Sequence, residues 1–190
     1  LKQLDSITQL DGEPHKPCYE EKSETNKKDL LLKNAPQVIG IAGMPKSGKD
    51  VVVDYIVANY RKVGRTVFSD YVISEVNTYL KENNFQHIIT ADNKSETIYR
   101  ELLQDWGIGR FEERNTYWSD KIKEGVATMK KSSSFDIILI TGVRLPSDFD
   151  MIEEIGGDMW RVQRPGNTYS VEHEIEDGCA ERQVACIIEN

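Results

Sequence analysis

The segment Val38-Ile39-Gly40-Ile41-Ala42 is apolar without interruption and runs into a glycine loop, the pattern of a parallel strand buried on both faces. From Asp50 to Lys62 the apolar residues Val52, Val53, Ile56, Val57 and Tyr60 recur at helical spacing, with Asp54, Asn59 and Arg61 elsewhere, and Gly64 marks the stop. Thr66 to Phe68 predicts a second strand and Tyr71 to Glu82 a helix. Ser95 to Trp106 predicts another, with Ile98, Leu102, Leu103 and Trp106 on its buried face and Gly107 closing it. A long helix follows from about Arg110 to Met129, then a polar linker, Lys130 to Ser134. Asp136 to Thr141 carries the strongest buried-strand signal in the chain. Pro146 to Ile155 reads as a short helix before Gly156-Gly157, and Met159 to Val162 and Val184 to Ile188 as short strands. The order β-α-β-α…α-β-α-β-β predicts a three-layer α/β/α fold on a mostly parallel sheet.

Leu1 to Asn34 breaks this texture. It mixes Lys with Asp and Glu, carries Pro14 and Pro17, and shows little apolar periodicity beyond Leu30-Leu31-Leu32. Residues 1–36 therefore read as a flexible N-terminal extension and 37–190 as one folded domain. The Leu start implies further residues upstream.

The 190 residues carry 24 Lys and Arg against 32 Asp and Glu, a net charge of −8, which is the wrong sign for tracking a polymeric nucleic acid. No run approaches the roughly 18 apolar residues of a spanning helix, so no membrane is expected. Three scattered cysteines, Cys18, Cys179 and Cys186, without histidines at ligand spacing, fit a reducing, cytoplasmic setting and indicate neither a disulfide framework nor a zinc site. The sequence leaves a homodimer open.

The candidate chemistry lies between the first strand and the first helix. Gly43-Met44-Pro45-Lys46-Ser47-Gly48-Lys49-Asp50 has the G-x-x-x-x-G-K spacing of a phosphate loop. Glycines let successive N–H groups turn inward around an anion, the helix start adds the positive end of its dipole, and Lys49 supplies a point charge to β/γ-phosphates. Gly43, Lys46, Ser47, Gly48, Lys49, Asp50 and Val51 form the expected nucleotide cradle. The position after Lys49, where a hydroxyl usually meets Mg²⁺, is Asp50, and Val51 offers no hydroxyl. Asp50 is thus the candidate metal ligand, with Ser47 and Asp70, expected at the tip of the second strand, as alternatives.

Phosphoryl transfer needs cations around the transferring group. Arg100 and Gln104 lie one turn apart on a polar helix face, Arg110, Arg114, Tyr117 and Lys121 form a stripe, Arg144 follows a strand end, and Arg161 and Arg164 flank another.

The phosphate loop, Phe68-Ser69-Asp70, Arg100 to Gly107, Trp118, Ile140 to Pro146, Gly156-Gly157, Arg161 to Gly166, His173 to Glu176 and Ile187 to Asn190 together resemble the deoxynucleoside monophosphate kinases of phages and bacteria, from about Gln37 to Asn190. The resemblance implies a P-loop kinase fold with a helical acceptor-binding insertion, using ATP and Mg²⁺ to phosphorylate a small nucleoside monophosphate. Carried over by position, Lys49, Arg100 and Arg144 are the catalytic cations and Arg164 lies near the donor. Asp70, Arg100, Gln104, Arg110, Trp118 and Arg144 face the acceptor; Trp118 reads equally as a core aromatic. The acceptor phosphate is already ionised near neutral pH, so no general base is demanded. Segments 107–116 and 165–183 are the expected moving parts.

The chain departs from that pattern at Gly142, where Asp is usual, at Ile175 in place of Ser, and at Asp50-Val51 in place of Asp-Thr. It also ends directly after its last strand, without the helix the family carries there. Two alternatives stay open: a phosphomevalonate kinase-like enzyme, whose phosphate loop resembles Lys46 to Asp50, and a nucleotide-binding or regulatory module with weakened turnover. The acidic stretch Glu172 to Asp177 reads as a solvated loop.

Overall fold

A computed structural model of the protein describes residues 35–90, 92–166 and 182–190. Its five strands are β1 (Gln37–Ala42), β2 (Val63–Val67), β3 (Ile137–Thr141), β4 (Asp158–Gln163) and β5 (Cys186–Glu189). They lie in the order β2-β3-β1-β4-β5, and every pairing among them is parallel. The helices are α1 (Lys49–Asn59), α2 (Phe68–Glu82), α3 (Thr97–Glu113), α4 (Tyr117–Ser132) and α5 (Pro146–Glu154). The predicted α/β three-layer architecture is the one observed.

Strand periodicity explains the layers. Alternate residues of a strand face opposite sides, so an uninterrupted apolar run feeds two cores at once. Val38, Ala42, Ile138, Ile140 and Met159 pack against Ile122 and Val126 of α4 and Phe149, Met151 and Ile152 of α5. Ile39, Ile41, Leu139, Val162 and Ile188 pack on the other face against Val52, Val53 and Ile56 of α1. The sheet is thus sandwiched with β1 at its centre, and every strand delivers its C-terminal end to the same edge.

Several boundaries differ from the sequence reading. The first helix stops at Asn59, and Gly64 is a buried residue inside β2, which runs from Val63 to Val67 instead of Thr66 to Phe68. α2 starts at Phe68 with no intervening loop. Gly107 does not end its helix: α3 continues through Gly107 and Gly109 to Glu113, and the break falls at residues 114–116. Of the polar linker expected at Lys130 to Ser134, residues 130–132 are the end of α4, and Ser133 and Ser134 alone lie beyond the helix. Ile98, expected in the core, is 70% exposed and Val57 is 45% exposed. α3 buries none of its residues fully, which is why its apolar periodicity misleads. Residues 1–34, Cys18 and Cys179, the stretch Glu172 to Asp177 with His173 to Glu176, and all of 165–183 except 165, 166, 182 and 183 lie outside the described residues. Among the described residues no helix is long and apolar enough to cross a membrane.

Candidate functional site

The turn from β1 into α1 is built as a cradle. A Cβ on Gly43 would stand 2.5 Å from the Val162 carbonyl oxygen and 2.7 Å from Ser47 Oγ, so only glycine passes between β4 and the loop. Lys46 and Gly48 both take left-handed backbone, φ +63° and +87°, and the turn from Met44 to Ser47 is closed by Ser47 N–H donating to the Met44 carbonyl at 3.1 Å. Left-handed geometry at a lysine costs of order 1 kcal/mol, strain of the kind that collects at ligand clamps. Alternating left-handed residues turn successive N–H groups to one side, the arrangement that holds anions.

The side chains agree. Ser47 is completely buried and its Oγ has no hydrogen-bond partner; Thr141 Oγ1, beside β1 at the end of β3, is buried and unpartnered as well. Such hydroxyls cost about 1–3 kcal/mol each when nothing pairs with them. Both lie at or beside the turn that leaves β1. Lys49 opens α1, half-buried, and makes no ion pair with any described residue. Asp50 and Val51 follow it on the exposed side of the helix.

Neighbouring strand ends bring further predicted residues to this edge. Arg144 follows β3, where its N–H and that of Leu145 donate to the buried Asp148 carboxylate, each at 2.9 Å. Asp148 thereby caps the start of α5. Burial pushes the Asp148 carboxyl above its usual range, while these two N–H groups and the Arg144 charge pull it down. Arg164 follows β4, and its guanidinium nitrogen lies 3.6 Å from where a Cβ on Gly48 would stand. Arg161 lies inside β4 and donates to the Arg182 carbonyl at 2.8 Å. Gly142, in place of Asp, sits at φ +83°, a backbone glycine adopts freely. Asp70 is not at a strand tip, because β2 ends at Val67 and the chain turns at once into α2; it is exposed in that helix's first turn.

Residues of the helical insertion divide. Arg100 and Gln104 are exposed and one turn apart on α3, as spacing predicted. Arg110 belongs to the end of α3, not to the start of the next helix. Its Nε donates to Glu75 Oε1 at 2.7 Å and its Nη1 to Glu113 at 2.9 Å, which raises the guanidinium pKa further. Trp118 is half-buried, donates its indole N–H to the Gly107 carbonyl at 2.9 Å and meets Tyr117 edge-on.

Sequence reasoning missed the residue at the centre of this group. Glu75 of α2 accepts from Tyr117 Oη at 2.7 Å, Arg110 Nε and Trp106 Nε1 at 3.2 Å, with Lys121 Nζ at 3.8 Å. Burial raises its carboxyl, but the hydrogen bonds from Tyr117, Arg110 and Trp106 and the Arg110 charge outweigh it, so Glu75 sits below its ordinary value. Arg110, Arg114 and Lys121 all lie within 5.5 Å of the Tyr117 ring centre. No local spacing signals this, because hydrogen-bond donors 31–42 residues away, with Lys121 beyond them, supply it. Asn190 was likewise missed as a loop contact; it donates to the Ser47 carbonyl at 3.1 Å from 143 residues away.

At the opposite end of the sheet a cavity of about 170 Å³ is lined by Ile39, Tyr55, Ile56, Tyr60, Ile137 and Trp160. Burial, with Tyr55 nearby, pushes the Tyr60 hydroxyl up. Gln37 completes its lining, which carries no charged side chain.

No family model matches the chain, and no curated protein does. Among solved structures, TT1252 from Thermus thermophilus is similar over 82% of this chain and 89% of that one, at 14% identity and a TM-score of 0.44. A sugar kinase from Janibacter sp. HTCC2649 is similar over 78% and 68%, at 14% identity and 0.36. A chain of the Pnkp1/Rnl/Hen1 RNA repair complex is similar over 67% of this chain and 32% of its own length, at 14% identity and 0.34, so the protein spans about a third of that chain. At such identities and scores these likenesses decide nothing about activity; the chain is a parallel α/β protein with a glycine-containing loop between β1 and α1.

Proposed function

We propose that the protein is an ATP-dependent phosphotransferase whose acceptor is a small phosphorylated molecule, with a (deoxy)nucleoside monophosphate as the best-supported class. The observation that carries this reading is the loop itself: a glycine pinch at Gly43, left-handed Lys46 and Gly48, and the fully buried, unpartnered Ser47 hydroxyl, all at the start of α1. Lys49 places a compact positive charge at the β/γ-phosphate position, and the first N–H groups of α1 face the same anion. Arg144 and Arg164, on the ends of β3 and β4, offset charge that builds up on the transferring group. Arg100 and Gln104 on the exposed face of α3 supply acceptor contacts. The acceptor oxygen is already ionised, so these residues orient and neutralise without having to take a proton.

Among the described residues no three His, Cys, Asp or Glu side chains cluster to hold a resident metal. The donors near the loop are hard oxygens, Ser47 Oγ, Thr141 Oγ1 and the Asp50 carboxylate, which suit Mg²⁺ arriving with nucleotide phosphates. That ion supplies charge neutralisation and alignment of the phosphates when bound.

The test is ADP release from ATP and Mg²⁺ across deoxynucleoside monophosphates, ribonucleoside monophosphates and phosphomevalonate. Acceptor-dependent release confined to one class is expected, with Lys49→Ala slower by about 10²-fold or more, the scale of losing one preorganised charge contact. A second reading, a nucleotide-binding module without turnover, is favoured by Asp50-Val51 and by Gly142, which lacks the carboxylate the resemblance places there. Nucleotide binding with no release for any acceptor selects it.

A further inference from the structure

We propose that Asn190 is a positioning residue of the phosphate loop, a latch that turns the Gly48 N–H toward the bound phosphates. The inference rests on the phosphate-loop reading above and assigns a part in it to a residue outside the motif.

The Asn190 side-chain amide donates to the Ser47 carbonyl at 3.1 Å, and its backbone N–H donates to the Gln163 carbonyl at 2.9 Å, so the residue is fixed to β4 at one end and to the loop at the other. A trans peptide is planar, and its C=O and N–H point in opposite directions. Holding the Ser47 oxygen outward against Asn190 therefore sets the N–H of the same peptide, that of Gly48, on the opposite side. No described residue accepts a hydrogen bond from that N–H.

The fit around Gly48 is close. A Cβ there would fall 1.8 Å from Asn190 Nδ2, with Arg164 also beside it. Asn190 occupies the space that the missing side chain leaves, so glycine serves the loop twice, for its φ of +87° and for admitting the latch. The peptide runs into left-handed Gly48, whose lack of a side chain leaves the backbone there more orientations than other residues have, and the Asn190 hydrogen bond selects one of them. Aspartate in place of Asn190 keeps the shape but presents only acceptors to the Ser47 oxygen. It also brings a negative charge, so Asn190→Ala, which removes the donor without adding charge, is read beside it.

The experiment is calorimetric titration of the full chain with ATP–Mg²⁺ and, separately, with tripolyphosphate, for wild type, Asn190→Asp, Asn190→Ala and Lys49→Ala, with thermal midpoints recorded alongside. One net hydrogen bond corresponds to roughly threefold to tenfold in affinity. Asn190→Asp and Asn190→Ala are expected to weaken both ligands by that factor at a midpoint within a few degrees of wild type. Tripolyphosphate has no base, so its loss assigns the effect to the phosphate cradle. Wild-type affinity in Asn190→Asp overturns the latch, since packing alone then explains the contact. If the Asn190 variants bind more weakly but no acceptor is phosphorylated, the latch stands and the kinase reading falls. A wild-type chain that binds neither ligand overturns both.

Discussion

Ser47 carries an unpaid polar cost within one side chain. Its hydroxyl is fully buried and unpartnered, so the folded protein bears a desolvation cost that a methyl group in its place would not. Ser47→Ala is therefore expected to raise the thermal midpoint of the ligand-free protein, by about 1 kcal/mol in stability, while reducing the further rise given by ATP–Mg²⁺. Thermal unfolding with and without nucleotide reads both; a hydroxyl with no ligand role raises the first and leaves the second intact. The loop itself was legible in the sequence because its chemistry is local: eight consecutive residues fix glycine positions, lysine and helix start together. Glu75, Asn190 and the buried state of Ser47 were not, since each acquires meaning only from partners that folding brings in from elsewhere in the chain.

Among elements, the strands were the easiest to read and α3 the hardest. β1 and β3 are buried on both faces, so hydrophobicity alone marks them. α3 carries Gly107 and Gly109 in its interior, each costing a helix about 1 kcal/mol relative to alanine, and a propensity argument stops it there. Side chains from α2 and α4 hold it through: Trp118 donates to the Gly107 carbonyl, and Glu75 takes hydrogen bonds from Trp106 and Arg110 on either side of the two glycines. Glu75 is thus the joint between α2, α3 and α4. Its carboxyl lies below the unfolded value of 4.5, so the stability it contributes is fully present above pH 4.5 and is lost as pH falls through the folded value. Glu75→Gln is expected to destabilise by about 2 kcal/mol at pH 7, and the gap to wild type to narrow progressively below pH 4.5. Urea unfolding of both proteins across that range checks it; a gap independent of pH assigns the loss to shape instead of charge.

At the scale of the whole molecule, the sheet is held together by pairings between distant residues. β1 pairs with β3 in the register Gln37 to Ile137 and with β4 in the register Ile39 to Asp158. Neither neighbour of the central strand exists in a chain that ends at Ser132, and both cores lose the strands that α1 and α4 pack against. Such a fragment is expected to show no cooperative thermal transition by circular dichroism, where the full chain shows one; a cooperative transition in the fragment would mean that the insertion helices fold on their own.

The placement of β1 at the centre also gives the protein a history during its own synthesis. β1 is the first of the five strands to be made, and its second partner is complete only at Gln163, 121 residues after Ala42. At roughly 5–20 residues per second, a ribosome leaves an apolar strand with at least one edge open for about 6 to 24 seconds. Through that interval the loop after β1 is incomplete, because the pinch at Gly43 is made by a carbonyl of β4 and the Ser47 carbonyl is met by the residue that follows β5. The loop therefore reaches its final shape only after the sheet has closed, whereas the apolar strand is exposed from the moment it is made.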